Sequence, residues 1–118
     1  MKTRQEVLNY GLSFSNTYQD APFRDTNWQL VRCRENKKAF LWTYEKDGKL
    51  CINIKVRPEW RDLWRAAYAS VLPGYHQNKE HWNTVILDGT VPTEELKKMI
   101  AESYDLVAPK DMRKNKKV

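Results

Sequence analysis

The sequence predicts an α+β fold. Its expected form is a two-layer sandwich of order α-β(3)-α-β(2)-α, with a mostly antiparallel sheet and its helices on one face. Three observations lead there. Leu50, Ile52, Ile54 and Val56 alternate with Cys51, Asn53 and Lys55, the period of a strand that buries one face. Trp60, Leu63, Trp64, Ala67 and Val71 recur at helical spacing, as do Leu96, Met99, Ile100, Ser103 and Val107. Asp47-Gly48 sits between two apolar runs, the sequence signal of a tight antiparallel hairpin.

Each element follows from local chemistry. Thr3 and Glu6 make a capping box, and Val7, Leu8, Gly11 and Leu12 carry the pattern on, so a first helix is expected over 3–13. Residues 14–27 are turn-rich and read as a loop. Strands are expected over 28–33 and 39–46, joined by a turn at Glu35-Asn36-Lys37. The Asp47-Gly48 hairpin leads into a third strand from Leu50. Pro58 suits a first helical turn, so a second helix is expected over 58–70, stopped by Pro73-Gly74. A short strand near 74–77 and a firmer one over 82–87 follow, five strands in all. Asp88-Gly89 then turns the chain into a third helix capped by Thr93, favoured at its positive end by Glu94 and Glu95 and limited by Pro109. There is no internal repeat, and residues 1–109 are expected to form a single domain followed by a basic tail at 110–118.

Composition narrows the function classes. A chain of 118 residues with 41% hydrophobic side chains builds one core. A mean hydropathy of -0.82, with no apolar run near a spanning length, argues against a membrane protein. The first six residues lack the apolar stretch of a secretory signal, and Cys33 and Cys51 form no close-spaced motif. A cytoplasmic monomer with reduced, structural thiols is the expectation. The net charge of +6 is uneven. The tail holds Lys110, Arg113, Lys114, Lys116 and Lys117 against Asp111, while residues 88–109 are net acidic. Such a tail is either a solubilising end or a nucleic-acid arm, with Lys114 and Lys116 as its candidate contacts.

Residues 73–84, Pro-Gly-Tyr-His-Gln-Asn-Lys-Glu-His-Trp-Asn-Thr, concentrate both histidines with amides and aromatics behind a Pro-Gly turn. Polar groups this dense either solve a structural problem or contact a ligand. The stretch resembles the PGYHxNKxHWNTV run of the MmcQ/YjbR-like family. Asp20, Pro22 and Phe23, then Lys38, Ala39 and Phe40, and the segment Ser103 to Val107 resemble further family segments, so the likeness spans roughly residues 5–108. Ser15-Asn16 and Arg24 depart from it, standing where many members have Pro-Gly and Gly. The resemblance implies a two-layer fold similar to that of type III secretion chaperones, also described as a double-wing motif and proposed to bind DNA. It implies no activity, since a fold does not fix a function.

The residues themselves leave alternatives open. His76 and His81 are five apart with no Cys nearby, which disfavours a metal site and leaves backbone hydrogen bonding or ligand contact. Asn78 and Lys79 are the residues best suited to face an anion. Arg57, Arg61 and Arg65 are spaced by four, forming either a solvated helix face or a row of phosphate contacts, with Asp62 placed to offset Arg65. Trp42, Tyr44, Asn53 and Lys55 lie on adjacent strands and would suit single-stranded nucleic acid on an open sheet face, or else fill the core. No nucleophile elbow, Cys-His neighbour or phosphate-binding glycine loop is present, so no catalytic role and no cofactor are expected. The first reading is a non-catalytic binding domain with DNA as its expected partner. The second is a protein-interaction module.

Overall fold

The computed structural model describes residues 1–109; the tail positions Lys114 and Lys116 lie outside the described residues. The chain runs α1 (Arg4–Leu12), β1 (Thr17–Asp20), β2 (Gln29–Cys33), β3 (Ala39–Lys46), β4 (Lys49–Lys55), α2 (Pro58–Ala67), β5 (Val71–Pro73), β6 (Trp82–Ile86) and α3 (Thr93–Val107). The strands form one sheet of order β1-β2-β3-β4-β6-β5, and every neighbouring pair is antiparallel. The α+β sandwich is therefore as expected. The sheet has six strands rather than five.

Register sorts the sheet into two faces. Leu41 pairs with Ile54, Thr43 with Ile52, and Ile52 with Val85, so these side chains share a face. That face meets the helices. Ile52, Ile54, Val71 and Val85 join Val7 and Leu8 of α1 and Leu96, Met99, Ile100 and Tyr104 of α3 in one buried cluster. Gly11 of α1 lies so close that a Cβ would meet Leu41 Cδ2 at 2.8 Å. The pairing steps from Val31–Leu41 to Arg32–Ala39, which leaves Phe40 as an extra residue in β3. This bulge lets Phe40 and Leu41, neighbours in sequence, both enter the core, where Phe40 meets the Tyr104 ring edge-on.

Local expectations hold at α1 and at the hairpin, whereas at α3 the N-cap position falls to Pro92 rather than Thr93 and no side-chain cap bond forms. Thr3 and Glu6 form the reciprocal capping box. Asp47 and Gly48 both take positive φ, 54° and 76°, as a tight hairpin between right-twisted strands requires. Both cysteines are free and buried. Among the described residues no helix is long and apolar enough to cross a membrane.

Three further expectations need correction. β1 forms inside the span read as loop, and Asn16 just before it adopts φ 54°. The short strand is Val71–Pro73, not 74–77; it lies at the sheet edge, where a proline without an N–H costs no ladder bond. Helix α2 ends at Ala67, and none of its residues is fully buried. It packs over β5 and β6 at the sheet margin. Trp64 and Tyr68 reach the edge of the core, but Trp60 and Leu63 are 46% and 57% exposed. The helical stripe read as core-facing is thus only half covered.

Candidate functional site

The face opposite the core cluster carries Leu30, Trp42, Tyr44, Cys51, Asn53, Thr84 and Ile86, as the pairings Leu30–Trp42, Trp42–Asn53, Tyr44–Cys51, Asn53–Thr84 and Cys51–Ile86 dictate. Among the described residues no helix covers it. Two loops cover much of it, so that Leu30, Tyr44, Cys51, Asn53 and Thr84 are buried while Trp42 and Ile86 stay partly exposed. One, residues 21–28, brings Phe23, Asp25 and Trp28 over the sheet; the other is the 74–82 segment.

Asn53 is the anchor of the second loop. It is fully buried, and its Oδ1 accepts from the Tyr44 hydroxyl at 2.7 Å and the Thr84 hydroxyl at 2.6 Å. Its Nδ2 donates to the Tyr75 carbonyl and to Gln77 Oε1, both at 2.8 Å. The Tyr75 N–H donates to Thr84 Oγ1 at 2.9 Å. Every hydrogen-bonding position of the buried amide is used, which is what makes its burial tolerable. Burial pushes the Tyr44 phenol up to about 12. Gly74 closes the loop base. Its N–H donates to the Trp82 carbonyl, and a Cβ there would meet Trp82 Cβ at 2.7 Å and that carbonyl oxygen at 2.9 Å.

The loop's far side is held by the arginine row. Arg65 Nε donates to Asn83 Oδ1 at 2.7 Å, and its Nη2 donates to the carbonyls of Lys79 and Trp82. Arg61 pairs with Asp62 and donates to the Glu80 carbonyl at 3.1 Å. Arg57 faces Glu102, and the expected Asp62–Arg65 pairing is present at 3.9 Å. Burial, then the neighbouring Arg61 charge, holds the Arg65 guanidinium below its ordinary value. All three guanidinium groups are thus engaged within the protein, two of them in binding the loop to α2. Asn78 also works internally: its Oδ1 accepts the Glu80 N–H and its carbonyl accepts from His81 and Trp82.

Clamped this way, the loop presents Tyr75 and His76 to the open face. His76 holds φ 60°, a left-handed backbone uncommon outside glycine, and its ring lies 4.0 Å from the Tyr75 ring. Neither histidine ring is hydrogen-bonded among the described residues; both residues are exposed. Tyr75 stacks on the buried Tyr44 ring, which stacks in turn on Trp28.

Two clefts flank Tyr75. The first, about 380 Å³, is lined by the rings of Phe23, Trp28, Trp42, Tyr75 and His76, with Asp25, Asn53 and Gln77 as its carboxyl and amide groups. The second, about 240 Å³, lies on the other side of Tyr75 and carries Lys46, Lys49 and Lys79 beside Asp47. Lys46 Nζ sits 4.5 Å from the Tyr75 ring centre, a cation–π contact. None of these three ammonium groups forms a salt bridge among the described residues. Of the residues singled out from sequence, His76 and Lys79 therefore reach the open face, while Arg57, Arg61, Arg65 and Asn78 are engaged internally, most of them in the loop that displays the first two. Sequence reasoning missed Phe23, Asp25, Trp28, Lys46 and Lys49 as site residues. Phe23, an aromatic within a polar stretch, was the available signal for the first three.

The YjbR family model matches residues 12–106, which includes both clefts. The chain belongs to the YjbR family. It is 27% identical over 115 residues to YjbR of Escherichia coli strain K12, covering 95% of each chain. It is 30% identical to YyaQ of Bacillus subtilis strain 168, covering 90% of this chain and 98% of that one. The crystal structure of the Deinococcus radiodurans protein DR2400, which has a DUF419 domain, is similar at a TM-score of 0.85 and 32% identity, covering 100% of this chain and 90% of that chain. Family membership thus accounts for the fold; the names of these relatives state no ligand.

Proposed function

We propose that this YjbR-family protein is a non-catalytic, cytoplasmic, monomeric binding domain that takes single-stranded nucleic acid, DNA foremost, on the open face of its sheet. The observation that carries this is an aromatic cleft set directly beside three lysines that form no salt bridge among the described residues, on the sheet face opposite the core cluster. Bases stack on aromatic rings for about 1–3 kcal/mol each whatever their sequence, and lysines neutralise the phosphates between them. A duplex hides its base faces, so single strands should bind more tightly. The tail residues Lys114 and Lys116 add long-range attraction by charge alone.

Anisotropy titrations of a labelled single strand and a labelled duplex at several salt concentrations test this. Single-strand affinity should fall with salt. Replacing Lys46, Lys49 and Lys79 with alanine should flatten the log–log slope by about 0.7 for each phosphate that is no longer neutralised. Absence of binding by either nucleic acid at low salt would refute the proposal. One observation favours a second reading, a protein-interaction module: Trp60 and Leu63 stand exposed on α2. Salt-insensitive association abolished by Leu63→Asp, with the lysine variant unaffected, would move that reading to first place.

A further inference from the structure

We infer that the first cleft is a pocket for one unstacked base, and that it favours a base whose edge offers an amino donor beside a ring-nitrogen acceptor, as cytosine and adenine do, over thymine or uracil. This rests on the single-strand reading above and specifies which part of the strand the site reads.

Size sets the first limit. At about 380 Å³ the cleft lies at the low end of the range of ligand pockets, roughly 300–1,000 Å³, and suits a single base rather than a stack of several. Its walls are flat and mostly aromatic. Phe23 and Trp42 lie 29° from parallel, and Trp28 stands nearly perpendicular to both, at 81° and 85°. Such surfaces meet the faces of a planar ligand and leave its edge to be read by polar groups.

Those polar groups are sorted by what they already do. Asn53 has both lone-pair directions and both N–H bonds occupied, so it reads nothing. Gln77 uses Oε1 to accept from Asn53, which fixes the orientation of its amide and leaves its NH₂ as a donor. Asp25 uses Oδ1 to accept the Asn27 N–H at 2.9 Å, and its other oxygen has no hydrogen-bond partner among the described residues. Besides the His76 imidazole, whose ring nitrogens have no hydrogen-bond partner among the described residues, the cleft therefore offers one strong acceptor and one donor. An amino group meets the Asp25 carboxylate, and an adjacent ring nitrogen meets the Gln77 NH₂. Thymine and uracil place a carbonyl where that amino group would be, setting two acceptors against each other. The Asp25 charge also keeps phosphate out of this cleft. The neighbouring phosphate finds Lys46, Lys49 and Lys79 across the Tyr75 ridge.

The test compares octamers of deoxycytidine and deoxyuridine on the full chain at one low salt concentration. The two bases are of similar size and differ at the edge the pocket reads. The deoxycytidine octamer should bind more tightly by about fivefold or more. Asp25→Asn, which keeps an oxygen for the Asn27 N–H, should bring the two affinities to within about twofold. Equal binding of both octamers by the natural protein overturns the base preference while leaving the single-strand proposal standing. A preference that persists unchanged in Asp25→Asn overturns the role of the carboxylate and with it this inference. If neither octamer binds, both proposals fall together.

Discussion

Replacing Asn53 with alanine should destabilise this protein, although Asn53 lies in no motif of catalysis. The side chain is fully buried in β4 and makes four hydrogen bonds, to Tyr44, Thr84, Tyr75 and Gln77. Truncation leaves two buried hydroxyls, the partly buried Tyr75 carbonyl and the Gln77 side-chain oxygen without their partner, the last on a side chain that can turn to water. The hydroxyls of Tyr44 and Thr84 lie 3.3 Å apart and can partly satisfy each other, and the Tyr75 carbonyl lies near enough to the surface to be rehydrated. Each group left unsatisfied costs about 1–3 kcal/mol, and this rescue leaves one hydroxyl proton without an acceptor, so the loss should be about 1–3 kcal/mol. Total stabilities of roughly 5–15 kcal/mol make that an appreciable fraction. Urea denaturation, with the slope unchanged and the midpoint lowered, is the assay. The 74–78 loop would lose its anchor to the sheet, so single-strand affinity should fall as well. A loss below about 1 kcal/mol would refute the reasoning, because the loop would then be held by something other than this network.

Other outcomes follow from the same geometry. Gly74→Ala should destabilise by about 1–3 kcal/mol in urea, since the added methyl meets the Trp82 backbone and β-carbon rather than a flexible side-chain end. Arg65→Ala should cost about 1.5–3 kcal/mol by the same measurement, because it strips charged donors from Asn83 and from two loop carbonyls. Alkaline stability should fall in a defined window. Burial raises Cys33 from 9.0 to about 11 and Tyr44 from 10.0 to about 12, so the folded state favours their neutral forms. Their contribution is complete below the unfolded values near 9 and 10 and is lost as pH climbs to 11 and 12, by up to about 1.4 kcal/mol per pH unit for each group. Urea midpoints measured across the alkaline range check this; a flat profile there would contradict the burial of both groups.

The strands and helices legible in the sequence were those with a periodic pattern or a chemical stop. The β3–β4 hairpin announced itself through alternation and Asp47-Gly48, and α1 through its capping box. β1 was illegible because Thr17, Tyr18, Gln19 and Asp20 show no alternation of apolar and polar residues. They are held as a strand by pairing with β2, a pairing between residues about a dozen apart that no local pattern announces. The stripe of α2 was read correctly as helical as far as Ala67, but Val71 belongs to β5 and Trp60 and Leu63 stand exposed, because periodicity states which residues share a face and not how much of a partner lies beneath it. The site shows the same division. The 73–84 stretch stood out by composition. Which of its members face outward was hidden in long-range bonds, such as Arg65 to the Lys79 carbonyl and Asn53 to the Tyr75 carbonyl. Lys46 and Lys49 looked like ordinary hairpin lysines, and only the sheet order places them beside Lys79.

The most direct measurement of the central claim is NMR titration of isotope-labelled protein with a short single strand of DNA. The open-face account predicts that the indole signals of Trp28 and Trp42 and the amides of Tyr75, His76 and Gln77 shift most. The helix-side amides of α3 should stay still. Shifts confined to Trp60, Trp64 and the arginine row of α2, with Trp28 and Trp42 silent, would contradict it.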